Sequence, residues 1–262
     1  NMTTWYLGTM GFSYKDWQGV FYPLGFKPSK YLQHYSKAFD AVEVDSIFYG
    51  TPKIEVVKRW AANTPEHFRF CLKVPRVITH ELGLIRSTTF VQEFIDRVLI
   101  LGDKLGVVLI QLPPNFTSSS KSIFTSFIEE LPDDIRFAVE FRHQSWYTSK
   151  TAEVLMKHNV CWAATEYKGL PKKVPATSDI LYVRFIGRHG RFSHFNQVRI
   201  DVTENLRWWQ QRITNLAPKI GSFFGFFNND YSGYAPTTCN QFKSVLGLKT
   251  VNLDPPKQKR LF

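Results

Sequence analysis

The chain predicts one α/β domain of (β/α)8-barrel form, and three observations predict it. Eight short apolar runs alternate with segments that are apolar at helical spacing. Such alternation implies parallel strands joined by crossover helices. The length of 262 residues suits eight strand–helix units. Several runs also break off in charged or amide side chains, as expected where barrel strands open onto a site. A doubly wound open sheet is the competitor, but no GxGxxG follows the first run.

The elements follow in order. Trp5 to Thr9 is the first strand, and Gly8 to Gly11 makes a turn that lets a ligand approach the backbone. Ser29 to Phe39 reads as a helix with Ser29 as its N-cap. Ala41 to Asp45 is the second strand, with Glu43 and Asp45 on one face. Pro52 to Asn63 carries Ile54, Val57, Trp60 and Ala61 at helical spacing. Phe68 to Lys73 ends in Lys73, and Thr88 to Lys104 is a helix with Phe90, Phe94, Val98 and Leu101 on one face. Val107 to Leu112 ends in Gln111, and Ser120 to Leu131 is again helical.

The fifth strand, Arg136 to Phe141, is the most informative. Alternation sends Ala138, Glu140 and Arg142 one way and Val139 and Phe141 the other. A carboxylate and a guanidinium at the end of a buried strand are costly to bury unpaired, so they pair or meet a ligand. His143 follows them. Lys150 to His158 is a helix, and Val160 to Ala164 leads into Thr165 and Glu166. Ile180 to Ile186 carries Tyr182 and Arg184 ahead of Gly187-Arg188-His189-Gly190. Val202 to Leu216 is helical, and Phe223 to Phe227 ends in Asn228, Asn229, Asp230 and Tyr231. No composition break divides the chain, so one domain over residues 2–262 is expected, with Asn1 set aside as a cloning remnant.

A hydrophobic fraction of 44% with 16% aromatics supplies a substantial core. The net charge of +11 attracts polyanions, so the partner classes are an anionic small molecule and nucleic acid, with plain solubility charge as the alternative. No apolar run approaches the roughly 20 residues of a membrane span. The first residues lack the basic and apolar regions of a secretory signal. Cys71, Cys161 and Cys239 form no CxxC pair, so neither a disulfide framework nor a cysteine zinc site follows. A cytoplasmic protein without membrane attachment is expected.

The strand-end residues define the candidate site. Glu43 and Glu140 suit general acid and base work, or metal ligation. Lys73, Arg142, Arg184 and Arg188 suit a phosphate or carboxylate, the arginines by a bidentate fork. Gln111 and Asn228 suit a sugar hydroxyl or a base edge, and His143 and Asn229 complete the ligand-binding set. The alternative is that Glu43, Glu140, Arg142 and Arg184 form a buried ion-pair lattice filling one barrel layer. His80, His143, His189 and His194 lie near strand ends, but no HExxH or dense cluster occurs, so no metal and no cofactor is assigned. Loop aromatics such as Trp17, Trp146 and Tyr231 suit stacking on bases or sugars, and equally a lid of packed loops.

The segments GTMGFSYKDWQGVFYP, VEVDSIFYGTP, FCLKVPRVITH, VVLIQLPPNF, VEFRHQSWY, YVRFIGRHG and FFNNDYSGYAPTTCNQF resemble the signature segments of the YecE-like proteins. These are the domain-of-unknown-function family numbered 72. The resemblance runs in order over nearly the whole chain. It implies a TIM barrel related in shape to the xylose-isomerase-like and endonuclease IV-like barrels, with no assigned activity. A nucleic-acid role follows only as an analogy of fold. Met10 stands where the family commonly has Ser, Asp45 where it has Asn, and Ile47 where it has Thr. The many His and acidic metal ligands of the endonuclease IV-like barrels have no counterpart in this sequence.

These readings converge on a phosphate-bearing or polyhydroxylated ligand at the C-terminal mouth of the barrel. An enzyme of this kind would be isomerase-like or hydrolase-like and use acid/base chemistry. A nucleic-acid-binding or nucleic-acid-processing barrel without sequence preference, and a non-catalytic interaction protein, are the alternatives. Two geometric expectations follow. Glu43, Lys73, Gln111, Glu140, Arg142, Arg184 and Asn228 should converge, and Arg142 should pair with Glu43 or Glu140.

Overall fold

Every strand in the computed structural model, which describes residues 2–45 and 49–255, runs parallel to its neighbours. The strands are β1 (Thr4–Met10), β2 (Ala41–Val44), β3 (Arg69–Lys73), β4 (Leu105–Gln111), β5 (Phe137–Glu140), β6 (Cys161–Trp162), β7 (Ala164–Glu166), β8 (Ile180–Phe185) and β9 (Ser222–Phe227). Their order in the sheet is β6-β5-β4-β3-β2-β1-β9-β8-β7. The two ends of that order are consecutive in the chain, with only Ala163 between them. The Ala163 N–H extends the β5 pairing to the Val139 carbonyl at 2.9 Å, and β7 then pairs with β8. Thus β6 and β7 act as one interrupted strand, and nine segments fill the eight positions of a TIM-like barrel. The eight apolar runs of the sequence all become strand.

The helices wrap the outside: α1 (Tyr31–Ala38), α2 (Ile54–Ala62), α3 (Thr88–Val98), α4 (Lys121–Glu129), α5 (Ser149–Lys157), α6 (Thr203–Leu216), α7 (Asn229–Ser232) and α8 (Ala235–Val245). Three details depart from the sequence reading. Ser29 lies inside a 3-10 turn, Pro28–Lys30, and the N-cap of α1 is Lys30. The long pattern from Thr88 to Lys104 divides into α3 and a 3-10 segment interrupted at Gly102, whose φ of 56° leaves the helical region. Helix α8 escapes the pattern because it is buried on several sides, including Pro236, Thr238 and Lys243, so its sequence shows no clean apolar stripe.

Strand alternation separates two cores. Val42, Phe70, Val108 and Val139 face the helices, whereas Ala41, Cys71, Val107, Leu109, Ala138, Cys161 and Phe224 fill the barrel interior. The loop aromatics extend the outer core. Trp17 and Trp146 are 0% and 2% exposed, and Tyr231 is 4% exposed. Trp146 stacks on Phe141 at 4.7 Å and donates to the Phe116 carbonyl at 2.8 Å. These three rings are buried among the packed loops. Among the described residues no helix is long and apolar enough to cross a membrane.

Candidate functional site

The β-register brings the charged strand ends to one level. Met10 pairs with Glu43, and Gln111 with Glu140. Arg184 lies beside Thr165 on one side and Phe226 on the other. Glu43, Glu140 and Arg184 each follow an inward-facing residue two positions earlier, namely Ala41, Ala138 and Tyr182. The strand period therefore sends all three into the barrel.

Arg184 is the centre of the arrangement. Its Nη2 donates to Glu43 Oε1 at 2.6 Å, and its Nη1 to Glu140 Oε2 at 2.6 Å. Its Nε donates to both Glu43 oxygens at 3.1 Å. The Tyr182 hydroxyl donates to Glu43 Oε2 at 2.6 Å, and the Thr165 hydroxyl to Glu140 Oε2 at 2.8 Å. Arg142 donates through Nε to the remaining Glu140 oxygen, and its guanidinium lies over the Tyr167 ring at 4.4 Å. Glu43 and Glu140 are sealed from water, and Arg184 nearly so. The expected Arg142–carboxylate pair is present, with Glu140. Lys73 donates to Gln111 Oε1 at 3.4 Å, beside the lattice.

This pairing fixes protonation. Burial pushes Glu140 upward, but the Arg142 and Arg184 guanidinium groups outweigh it and hold the carboxyl at about 2. Glu43 is likewise buried, and Arg184 keeps it below the ordinary carboxylate range. Both glutamates are anions at neutral pH, each occupied by cations.

Asp45 behaves in the opposite way. It lies one residue beyond β2, and its Oδ2 is 3.9 Å from Arg184 Nη2. Burial and the adjacent Glu43 anion push its carboxyl up to about 7, against the pull of Lys73 and Arg184. The side chain is 29% exposed, yet Oδ1 is buried without a hydrogen-bond partner among the described residues. Lys73 is shifted in the complementary sense, since burial lowers its ammonium pKa more than Asp45 restores it. Asp230 likewise buries an oxygen that lacks a partner among the described residues. It is 5% exposed, its Oδ2 accepts from the Gly190 N–H at 3.2 Å, and its Oδ1 is buried without a partner among the described residues. Tyr14 lies near both. Burial raises its hydroxyl pKa most, followed by Asp45, Asp230 and Glu43.

The remaining sequence candidates make their bonds within loops. Asn228 caps α7 by accepting from the Asp230 N–H at 2.8 Å. Asn229 Oδ1 accepts from Trp17 Nε1 at 3.3 Å and from the Ala235 N–H at 3.0 Å. His143 Nδ1 accepts from the Ser145 N–H at 3.1 Å and caps the turn Gln144–Trp146. The structure thus gathers Glu43, Lys73, Gln111, Glu140, Arg142 and Arg184, and sets Asn228, Asn229 and His143 to tying loops. It adds Asp45, Asp230, Tyr182 and Thr165, which the site reading left out. Strand alternation alone could have flagged Tyr182, two residues before Arg184. Ile47 and Phe48 lie outside the described residues. Among the described residues, no group of three or more His, Cys, Asp or Glu side chains is placed to hold a metal ion.

The molecule is therefore a TIM-like barrel whose C-terminal mouth carries a buried carboxylate–arginine lattice. The chain belongs to the family described as "Protein of unknown function DUF72", whose family model matches residues 6–260. YecE of Escherichia coli K12 is 34% identical over 122 residues, a match covering 47% of this chain and 45% of YecE. The match thus spans about half the length of that relative. YunF of Bacillus subtilis 168 is 27% identical over 98% of this chain and 99% of its own. The solved structure of a DUF72 family protein from Thermotoga maritima superposes with a TM-score of 0.81 at 30% identity, covering 93% of this chain and 99% of that one. One from Enterococcus faecalis, at 21% identity, shares the fold with a TM-score of 0.76 over 98% of this chain and 100% of that one.

Proposed function

We propose that the C-terminal mouth binds a small polyhydroxylated ligand, phosphorylated or not, and that Asp45 carries proton transfer there with Lys73 beside it. Asp45 is the observation that supports this reading. A carboxyl near 7 is matched to accepting and returning a proton at neutral pH, whereas two arginine-bound glutamates are not. Glu43 and Glu140 then act as positioning residues that fix Arg184. The partnerless oxygens of Asp45 and Asp230 favour hydroxyl groups, because a buried acceptor left unsatisfied costs about 1–3 kcal/mol and a hydroxyl donor relieves it. The three cysteines are free and buried, which fits a cytoplasmic ligand in a reducing compartment.

Calorimetry with ribose and ribose 5-phosphate tests the reading. Titration near neutral pH, in two buffers of different ionisation enthalpy, should reveal a proton exchanged on binding. Asp45→Asn should abolish that exchange. Binding with no proton exchanged in the wild type would remove Asp45 from the role. No binding of either compound would remove the ligand class.

A further inference from the structure

A cavity of about 500 Å³ opens between the segments that follow β7 and β8 and the start of α6. Four cations line it: Lys168, Lys172, Arg188 and Arg191. The two carboxylates in its wall are already engaged. Glu166 accepts from Trp209 Nε1 at 2.7 Å and from the Tyr231 hydroxyl at 2.5 Å, with Lys172 at 3.5 Å. Asp201 accepts from the Thr203 N–H at 2.9 Å and its hydroxyl at 2.6 Å. Lys168, Arg188 and Arg191 are exposed and form no ion pair among the described residues. The cavity wall is thus cationic in excess.

Two residues join this cavity to the lattice. Thr165 lines it and donates to Glu140 at 2.8 Å. Tyr167 lines it and carries the Arg142 guanidinium on its ring at 4.4 Å. The turn between them and the mouth is held tightly. Gly187 has φ +73°, and a Cβ there would come within 2.5 Å of the Asp230 carbonyl. That crossing sets Arg188 on the cavity side while Asp230 keeps its buried carboxyl.

We infer that this side cavity takes the phosphate group of a phosphorylated small molecule whose hydroxylated part reaches Asp45 and Asp230 in the mouth. The inference rests on the mouth being a ligand site and names the substrate class as a phosphate monoester. Arginine forks match phosphate oxygens in bidentate fashion, and lysines add point charge. The mouth itself suits hydroxyls, since its partnerless atoms are carboxylate oxygens.

The test uses the full chain with ribose, ribose 5-phosphate, inorganic phosphate and a thymidine octamer as probes. Ribose 5-phosphate should bind about tenfold to a hundredfold more tightly than ribose, the range expected of charge-assisted hydrogen bonds. The double variant Arg188→Ala/Arg191→Ala should lose that gain and keep its ribose affinity. It should also lose the thermal stabilisation by inorganic phosphate. Both positions are exposed, so the variant should fold. Asp45→Asn should keep the phosphate effect, which separates a failed mouth from a failed cavity. Equal affinity for ribose and its phosphate would overturn the inference, as would a phosphate gain that survives the double variant. Octamer binding that falls steeply with salt and disappears in the double variant, without binding of ribose 5-phosphate, would assign the cavity to a nucleic-acid backbone instead.

Discussion

Two layers of the barrel interior are both closed to water, yet they are built on opposite chemistry. The deeper layer is apolar, with Val107, Leu109, Ala138 and Cys161 packed to 0–1% exposure. The layer above it, at the C-terminal ends of the barrel strands, consists of Glu43, Glu140 and Arg184 with Tyr182 and Thr165. The deeper layer shows that this barrel can fill itself with apolar side chains. The polar layer is therefore not a packing necessity. Replacing a buried ion pair by apolar residues of similar volume is often neutral or stabilising, so burial alone does not account for the lattice.

The largest effect should come from breaking the polar layer at its centre. Arg184→Met leaves buried Glu43 without its cation and Glu140 with Arg142 alone, and should destabilise by about 3–5 kcal/mol in urea denaturation. The combined variant Glu43→Leu, Glu140→Leu and Arg184→Met should recover most of that loss while abolishing ligand binding. A triple variant as unstable as the single one would mean that the lattice is structural after all. Leu109→Ala tests the deeper layer and should cost about 2–5 kcal/mol through lost burial and a cavity, with no rescue by a neighbouring polar change.

Acid separates two carboxylates of the upper layer. Glu140 has a folded pKa below its unfolded value. Its contribution is present above about 4.5 and is lost as pH falls through about 2, in total about 3 kcal/mol. Glu140→Gln should flatten the acid limb of the stability curve. Asp45 has a folded pKa above its unfolded value, so the sign reverses. Its contribution is complete below about 3.8 and is lost as pH rises through about 7. Asp45→Asn should remove that decline, and a protonated-carboxyl infrared band should vanish with it. Parallel slopes for the two variants would end the distinction between positioning glutamates and a titrating aspartate. The smallest effect belongs to the far end of the barrel. There Arg136 and Asp179 pair at 3.1 Å with half of each side chain in solvent. Arg136→Ala should cost less than about 1 kcal/mol.

The strands were legible because each is a short apolar run, and inward against outward faces followed from alternation. Convergence of Glu43, Glu140 and Arg184 was legible for the same reason, since three strand ends of a barrel open on one mouth. What alternation does not encode is partner choice. Glu43 and Asp45 are two residues apart, but only Glu43 meets the Arg184 fork squarely, and that difference inverts their proton affinities. Asn229 and His143 looked like ligand donors because they follow strands. They also sit at helix and turn starts, where Asn and other short polar residues commonly satisfy backbone N–H groups. The seam at Ala163 left no mark in its apolar run, because Ala163 keeps pairing with β5 while the chain changes neighbours.

Arg184 has a further consequence for how the protein is made. Its two partners lie 141 and 44 residues earlier in the chain. During synthesis Glu43 leaves the ribosome long before its cation, while Glu140 is followed two residues later by Arg142, so until Arg184 arrives water must hold the charge of Glu43 and of the second Glu140 oxygen. The guanidinium that bridges the two arrives only with the penultimate strand. Burying the acids before then would strand charge in an apolar interior, so early closure of the half-made barrel is penalised. The residue that centres the mouth thus ties its polar layer to the arrival of β8, and a chain cut short before position 184 should keep Glu43 in water.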